Sequence, residues 1–374
     1  MNKFIPVNTP LLNGNEEKYL RECIQAGWIS SEGPFVDRFE REFACKVDRK
    51  HAIAVTNGTA ALDVAIAALD IGPGDEVILP AFTIISCILQ IVRSGATPVL
   101  VDCDPYSWNM AVEKVEQVIT HKTKAIMAVH IYGMPVDMNP LWDLSKKYNI
   151  PILEDSAQAH GQKYYDKKCG NLGLISTFSF YPNKLVTTGE GGMVVTDDDQ
   201  IAERCRSLRN LCFIPGRRFI HEELGWNLRM TNIQAAIGVA QLERMDEFLL
   251  RKRRAGTLYT KLLSDIDCIQ LPLKQTDYAK NAYWVYGVVL KDDKFGDASV
   301  IMNRLQENGI GTRPFFFPMN KQPALIKQGF FKDISMPISE NISEMGLYLP
   351  SGVGVDDEDI ERVCKSLRSA LKKC

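Results

Sequence analysis

Short runs of β-branched and aliphatic residues alternate with longer stretches of helical period through the first half of the chain, the pattern of an α/β fold on a mainly parallel sheet. The runs predict strands at 51–56 (HAIAVT), 76–80 (EVILP), 97–102 (TPVLVD), 124–130 (KAIMAVH), 150–155 (IPILED), 175–181 (ISTFSFY) and 192–197 (GMVVTD), with helices in most of the gaps. After Gly225 the segment WNLRMTNIQAAIGVAQLERMDEFLLRKRRAGTLYTKLLSD keeps a helical period, and Thr231 with Gln234 forms a capping box at its start. One long helix is expected there, able to bridge two domains. Past residue 255 the order changes to YWVYGVVL, a helical SVIMNRLQENGI, TRPFFFP and a terminal helix. The expected division is therefore an N-terminal segment and large α/β domain over 1–250, and a smaller α+β domain over 251–374.

Composition narrows the function. The 374 residues carry 44 basic and 46 acidic side chains, a net charge of -2, which gives no electrostatic reason to expect a nucleic-acid or anionic-membrane partner. The first residues, MNKFIPVNTPLLNGNEEKYL, have no apolar run of signal-peptide length, and no later run reaches the roughly 20 apolar residues of a membrane helix, so a cytoplasmic protein is expected. Ten cysteines stand without CxxC pairs or histidines at ligand spacing, and no metal site is expected.

Three local patterns bear on chemistry. Asn57-Gly58-Thr59 follows a strand and opens an Ala-rich helix; read alone it is a capped turn or an anion cradle, since a helix start offers free N–H groups and a favourable dipole. Asp155 ends an apolar strand at the carboxyl edge, where open α/β sheets bind ligands, and there it can cap a turn or hold a protonated ring nitrogen. In STFSFY the period of two puts Thr177, Ser179 and Tyr181 on one face and Phe178 and Phe180 on the other, and Lys184 follows, in a loop closed by Gly189, Gly191 and Gly192. A desolvated amine loses its proton more readily, and the neutral amine attacks carbonyls. Cradle, acid and lysine together fit pyridoxal phosphate. His160, alone beside a glycine, reads as structural.

The motifs GWISSEGPFVDRFEREFA, TNGTAAL, GDEVILPAFT, GATPVLVDCD, AVHIYGMPVDM, EDSAQAHG, STFSFYPNK, GEGGMVVTDD, LRMTNIQAAIGVAQLE and RPFFFPM span nearly the whole chain. In them the chain resembles the DegT/DnrJ/EryC1/StrS-type sugar aminotransferases, a pyridoxal-phosphate-dependent branch of fold type I. The resemblance implies amino transfer from glutamate to C4 of a nucleotide-linked 4-keto-6-deoxyhexose. GDP-4-keto-6-deoxymannose is the first expectation, and the alternatives are UDP- or dTDP-linked sugars or a cofactor-binding regulator that kept the fold and lost turnover. It makes Lys184 the Schiff-base lysine and proton shuttle, sets Asp155 on the pyridinium and Gln158 against the ring hydroxyl, and gives the phosphate to Gly58, Thr59, Ala60 and Ser179. Asn227 would reach in from the second subunit of a homodimer with shared sites. Ile84 stands where the family usually carries an aromatic over the ring, and Phe82 is the nearby ring that could replace it. Trp28, Ser30, Ser31, Arg217, Arg218, Arg313 and Phe315 are candidates for the nucleotide sugar, with surface charge and packing as the alternative reading. Relatives that dehydrate carry His at the lysine position; Lys184 favours amino transfer.

Overall fold

The computed structural model describes residues 3–372 except 215, 218, 293 and 295. The strands are β1 (His51–Val55), β2 (Glu76–Pro80), β3 (Thr97–Val101), β4 (Thr123–Val129), β5 (Ile152–Asp155), the two-residue hairpin β6 (Lys163–Tyr164) and β7 (Lys167–Lys168), β8 (Ile175–Ser179) and β9 (Gly192–Thr196). After these come β10 (Ile269–Gln270), β11 (Tyr286–Leu290), β12 (Arg313–Pro314) and β13 (Gly346–Leu349). The main sheet has the order β1-β9-β8-β5-β4-β2-β3. Its strands run parallel except β9, which is antiparallel to both its neighbours. Strands buried on both faces explain the near-continuous apolar runs in the sequence. The smaller sheet, β10-β11-β13-β12, is antiparallel, and one apolar cluster runs from the main sheet into it.

Pairing brings the functional ends together. Asp155 lies opposite Thr177 in the β5–β8 register, and Gly192 pairs with both Ser179 and Val55. The carboxyl ends of β1, β5 and β8 thus share one edge of the sheet, where loops are free to carry a site. β8 stops at Ser179, two residues before the expected end. Pro182, which has no N–H to give a ladder, follows closely, and Lys184 N turns back onto Tyr181 O at 2.8 Å.

The expected long helix is two helices, Asn232–Leu242 and Met245–Leu263. The capping box is formed, with Thr231 Oγ1 accepting from Gln234 N and Gln234 Oε1 accepting from Thr231 N. The break at Glu243 and Arg244 has side-chain causes. Glu243 accepts from Asn15 Nδ2 at 2.7 Å, Tyr19 OH at 2.6 Å and Arg38 Nη2 at 3.2 Å, while Arg244 folds onto Glu247. An apolar period does not register such ties.

Beside Asp155, Glu154 is fully buried and anchors the end of β5. It accepts from the His130 ring at 2.9 Å, the Ser156 and Ser176 hydroxyls at 2.6 and 2.8 Å, and the amides of Gly170, Leu172 and Gly173. Burial alone would raise its pKa; His130 and the surrounding donors instead hold it at about 2. A depressed folded pKa means that the stabilisation is present above the ordinary carboxylate value of 4.5 and is lost as pH falls toward 2. Glu154→Gln turns an NH2 group toward these donors and is expected to cost about 3–5 kcal/mol. Denaturant unfolding at neutral pH reads this loss, and an unchanged midpoint would remove Glu154 as the anchor.

Candidate active site

The site begins at the extended Asn57, whose Oδ1 accepts from Ala60 N at 2.8 Å and so starts the helix Gly58–Ala68. The Ala60 amide is thereby engaged, whereas the Gly58 and Thr59 amides lie in the first turn, which has no intrahelical acceptor for them. Glycine is required here twice. A Cβ on Gly58 would stand 2.6 Å from Ser179 Cβ, and one on Gly192 would stand 2.3 Å from Asn57 O. These close approaches bring the helix start against the end of β8. Thr59 Oγ1 lies 3.0 Å from Ser86 Oγ, which adds a hydroxyl pair to the rim.

Asp155 is only 4% exposed. Its Oδ1 accepts from Ala157 N at 2.9 Å, and its Oδ2 accepts from Cys87 Sγ at 3.2 Å. Burial first and the Asp155 charge second push the Cys87 thiol well above its usual range, so it stays a donor; Thr83 Oγ1 lies 3.3 Å behind it. Cys87 and Thr83 were not found from sequence, and with 68 positions between Cys87 and Asp155 no local spacing signals the pair.

Phe178 and Phe180 pack edge-on to Phe43 and His160, and Thr177 and Ser179 turn to the opposite side, as the period of two predicts. Thr177 Oγ1 is buried without a hydrogen-bond partner among the described residues. His160 belongs to the packing: burial, then the nearby Lys184 charge, push it down to about 3, so its ring is neutral.

Lys184 Nζ lies 3.9 Å from the centre of the Trp284 ring. Burial lowers its pKa to about 8, against the opposing charge of Asp155, so a substantial neutral fraction exists near physiological pH.

A cavity of about 650 Å³ brings together the expected cofactor residues of this chain, from Gly58, Thr59 and Ala60 through Ile84, Asp155 and Gln158 to Ser179 and Lys184. Its far wall holds Trp284, Phe316 and Tyr348, from a region where sequence reasoning had flagged only the RPFFFP run. A still larger hollow of about 740 Å³, along the helix Asp199–Arg209, contains none of these residues. The first cavity fits pyridoxal phosphate on its own terms: an anion cradle at a helix start, a buried carboxylate, an unpartnered buried hydroxyl and a desolvated amine face one space of small-molecule size.

Other expectations fare differently. Gln158 lines the cavity, and its Oε1 is already taken by Tyr132 N at 2.8 Å. Ile84 is 42% exposed at the cavity rim. Phe82 is fully buried against Tyr132, Phe315 and Phe316 and is held away from the role of a substitute ring cover. Phe315 is 4% exposed and packs on Trp108 and Tyr132, so it belongs to the core rather than to a stacking surface for substrate. Arg217 pairs with Glu222, and Arg218 lies outside the described residues. Trp28 and Ser30 are exposed, Ser31 is half-buried, and the carbonyls of Trp28 and Ser30 accept from Asn232, away from the cavity wall. Arg313, on β12, is exposed and pairs with Tyr348 of β13 in the small sheet. Asn227 is exposed, bridges Asn210 through the backbone, and is not part of its own chain's cavity wall.

This sheet sets a desolvated lysine and a buried carboxylate at its carboxyl edge, a site equipped for carbonyl chemistry on an anionic cofactor. The chain belongs to the DegT/DnrJ/EryC1/StrS aminotransferase family, whose pattern it matches over residues 10–368, and its cofactor is pyridoxal phosphate. It is 41% identical over 368 residues to GDP-perosamine synthase of Vibrio cholerae, covering 98% of each chain. Among solved structures it resembles the aminotransferase from Psychrobacter cryohalolentis, with a TM-score of 0.92, 30% identity and 99% of each chain covered. It also resembles Spr1654 from Streptococcus pneumoniae in its PLP form, with a TM-score of 0.92, 25% identity and 99% of each chain covered.

Proposed function

We propose that this enzyme transfers the amino group of glutamate to C4 of GDP-4-keto-6-deoxymannose, giving GDP-perosamine and 2-oxoglutarate. The observation that carries the reading is the meeting of Lys184, Asp155 and the Gly58–Ser179 cradle in one cavity, in a chain 41% identical to a GDP-perosamine synthase. The cofactor supplies an electron sink for the carbon that loses its proton. Gly58, Thr59 and Ser179 bind its phosphate, and Asp155 keeps its ring nitrogen protonated. Cys87 and Ala157 fix the Asp155 carboxylate in place. Lys184 Nζ is the attachment point and, once free, the base that takes the α-proton of glutamate and later returns a proton to C4 of the sugar. Turnover on GDP-, UDP- and dTDP-linked 4-keto-6-deoxy sugars tests the assignment. The highest kcat/KM is expected with GDP, and a preference for either other nucleotide would overturn that choice.

The reading extends to assembly and place. Asn227 of the partner subunit completes the phosphate pocket in a homodimer, which agrees with its position outside its own cavity wall. Chains carrying Lys184→Ala and chains carrying Asn227→Asp are each expected to form inactive or weak homodimers, the second because a carboxylate faces the phosphate. Co-expressed, they regain activity toward half the parent value per purified heterodimer, since one site draws both intact residues. No recovery would place Asn227 in its own subunit's site or outside any site. Among the described residues no helix is long and apolar enough to cross a membrane. We assign the reaction to the cytoplasm, where it would supply an amino sugar for polysaccharide such as O-antigen.

Ile84 covers one face of the ring in this reading, without the offset stacking worth about 0.5–1.5 kcal/mol that an aromatic adds. Ile84→Tyr is therefore expected to bind pyridoxal phosphate at least as tightly as the parent, measured by equilibrium titration of cofactor-free protein. Weaker binding with the fold intact would mean that Ile84 does not cover the ring.

A further inference from the structure

Trp284 is held by more constraints than a packing residue needs. The preceding Tyr283 adopts a left-handed φ of 51°, and its amide is fixed by Asn281 Oδ1 at 2.7 Å. Gly133, itself at φ 97°, comes so close that a Cβ there would lie 2.7 Å from Trp284 N. The carbonyl of Trp284 accepts from Lys252 Nζ at 2.7 Å; this lysine is buried, also donates to Ser351 O, and is pushed down to about 7 by desolvation. A non-glycine residue in the left-handed region persists only where its surroundings over-determine it, and such places cluster at functional sites. The indole plane is fixed as well, because Nε1 donates to Asn183 O at 2.8 Å, the carbonyl just before Lys184. What the ring then turns to the cavity is its face, with Lys184 Nζ 3.9 Å from the ring centre.

We propose that Trp284 is a positioning residue whose indole face receives the Lys184 ammonium whenever that amine is not bonded to the cofactor, keeping it beside the reacting carbon. The inference rests on the assignment of Lys184 as the attachment lysine. The ring face carries negative charge, so it favours the protonated amine by cation–π attraction, which is stronger at desolvated sites. Asp155 also faces the amine and favours its charge, Cys87 lies near as a protonated thiol and His160 as a neutral ring, and Asp63, Glu190 and Tyr348 occupy the same cavity wall. None of these offers an aromatic face at van der Waals distance.

The test weakens the ring face without changing its size. Full-length protein freed of cofactor is prepared with ordinary tryptophan and with tryptophans bearing one, two and three ring fluorines, and the rate at which it captures pyridoxal phosphate is followed against pH by the yellow absorbance. Fluorine withdraws charge from the face, so the pH midpoint is expected to fall stepwise, by up to about 1.5 units for complete loss of the attraction. The chain has five tryptophans, so the same series is run in Trp284→Leu, or in Trp284→Phe should the first fail to fold. In that background the midpoint is expected not to move with fluorination. A midpoint that stays fixed in the parent, or moves equally in both backgrounds, overturns the role of Trp284. Capture that persists in Lys184→Ala would overturn the lysine assignment instead, which is a separate failure.

Discussion

Replacing Lys184 with alanine is expected to abolish turnover while leaving the fold intact. The side chain is the attachment point and the proton carrier in one, and no other amine lines the cavity among the described residues. General acid–base catalysis alone contributes about 10²–10⁴-fold, and covalent attachment adds to that, so the loss should exceed about 10⁴-fold. The protein should still melt cooperatively near the parent temperature, since truncating Lys184 removes an amine that is unfavourable to bury as a charge. A steady-state assay with glutamate and the keto-sugar is the check, and parent-like activity in Lys184→Ala would end the mechanism given above.

Asp155→Asn is expected to have the next largest effect. An opposite charge within about 4–6 Å shifts a pKa by about 1–3 units, and the Asn variant withdraws that support from the ring nitrogen. At 1.36 kcal/mol per unit, kcat is expected to fall about tenfold to a thousandfold. The same change moves Lys184 the other way in use. Asp155 raises the amine's pKa, so without its charge the value drops below about 8 and cofactor capture extends to lower pH. A single substitution that slows turnover while easing capture at low pH distinguishes a role on the ring nitrogen from simple damage to the site. If kcat stays within twofold of the parent, Asp155 does not hold the ring.

The sequence made the main sheet legible because its strands are apolar on both faces and end at polar or glycine punctuation, as at VTN after β1 and EDS after β5. The period of two in STFSFY separated the packing of Phe178 and Phe180 from the cavity side of Thr177 and Ser179, which fixed where Lys184 would emerge. Failures came where a long-range contact decides. The break in the helix after Leu242 depends on Tyr19 and Asn15 reaching Glu243 from more than two hundred positions away. Phe315, one of three consecutive phenylalanines, reads as a stacking surface until β12 pairs with β13 and turns it toward Trp108. Cys87 resembles an ordinary small apolar residue, and only the fold sets its thiol on Asp155. Trp284 carried no signal, because what makes it matter is a ring placed over an amine one hundred residues earlier.

The central claim is that nitrogen passes from glutamate to a GDP-linked keto-sugar at a site built on Lys184. The most direct measurement supplies 15N-glutamate and GDP-4-keto-6-deoxymannose to the purified enzyme and follows the sugar nucleotide by mass spectrometry. The account predicts one 15N per GDP-sugar product at C4, stoichiometric 2-oxoglutarate, and neither product from Lys184→Ala. A sugar nucleotide recovered without 15N from the parent enzyme, or labelled equally by the Lys184→Ala protein, would contradict it.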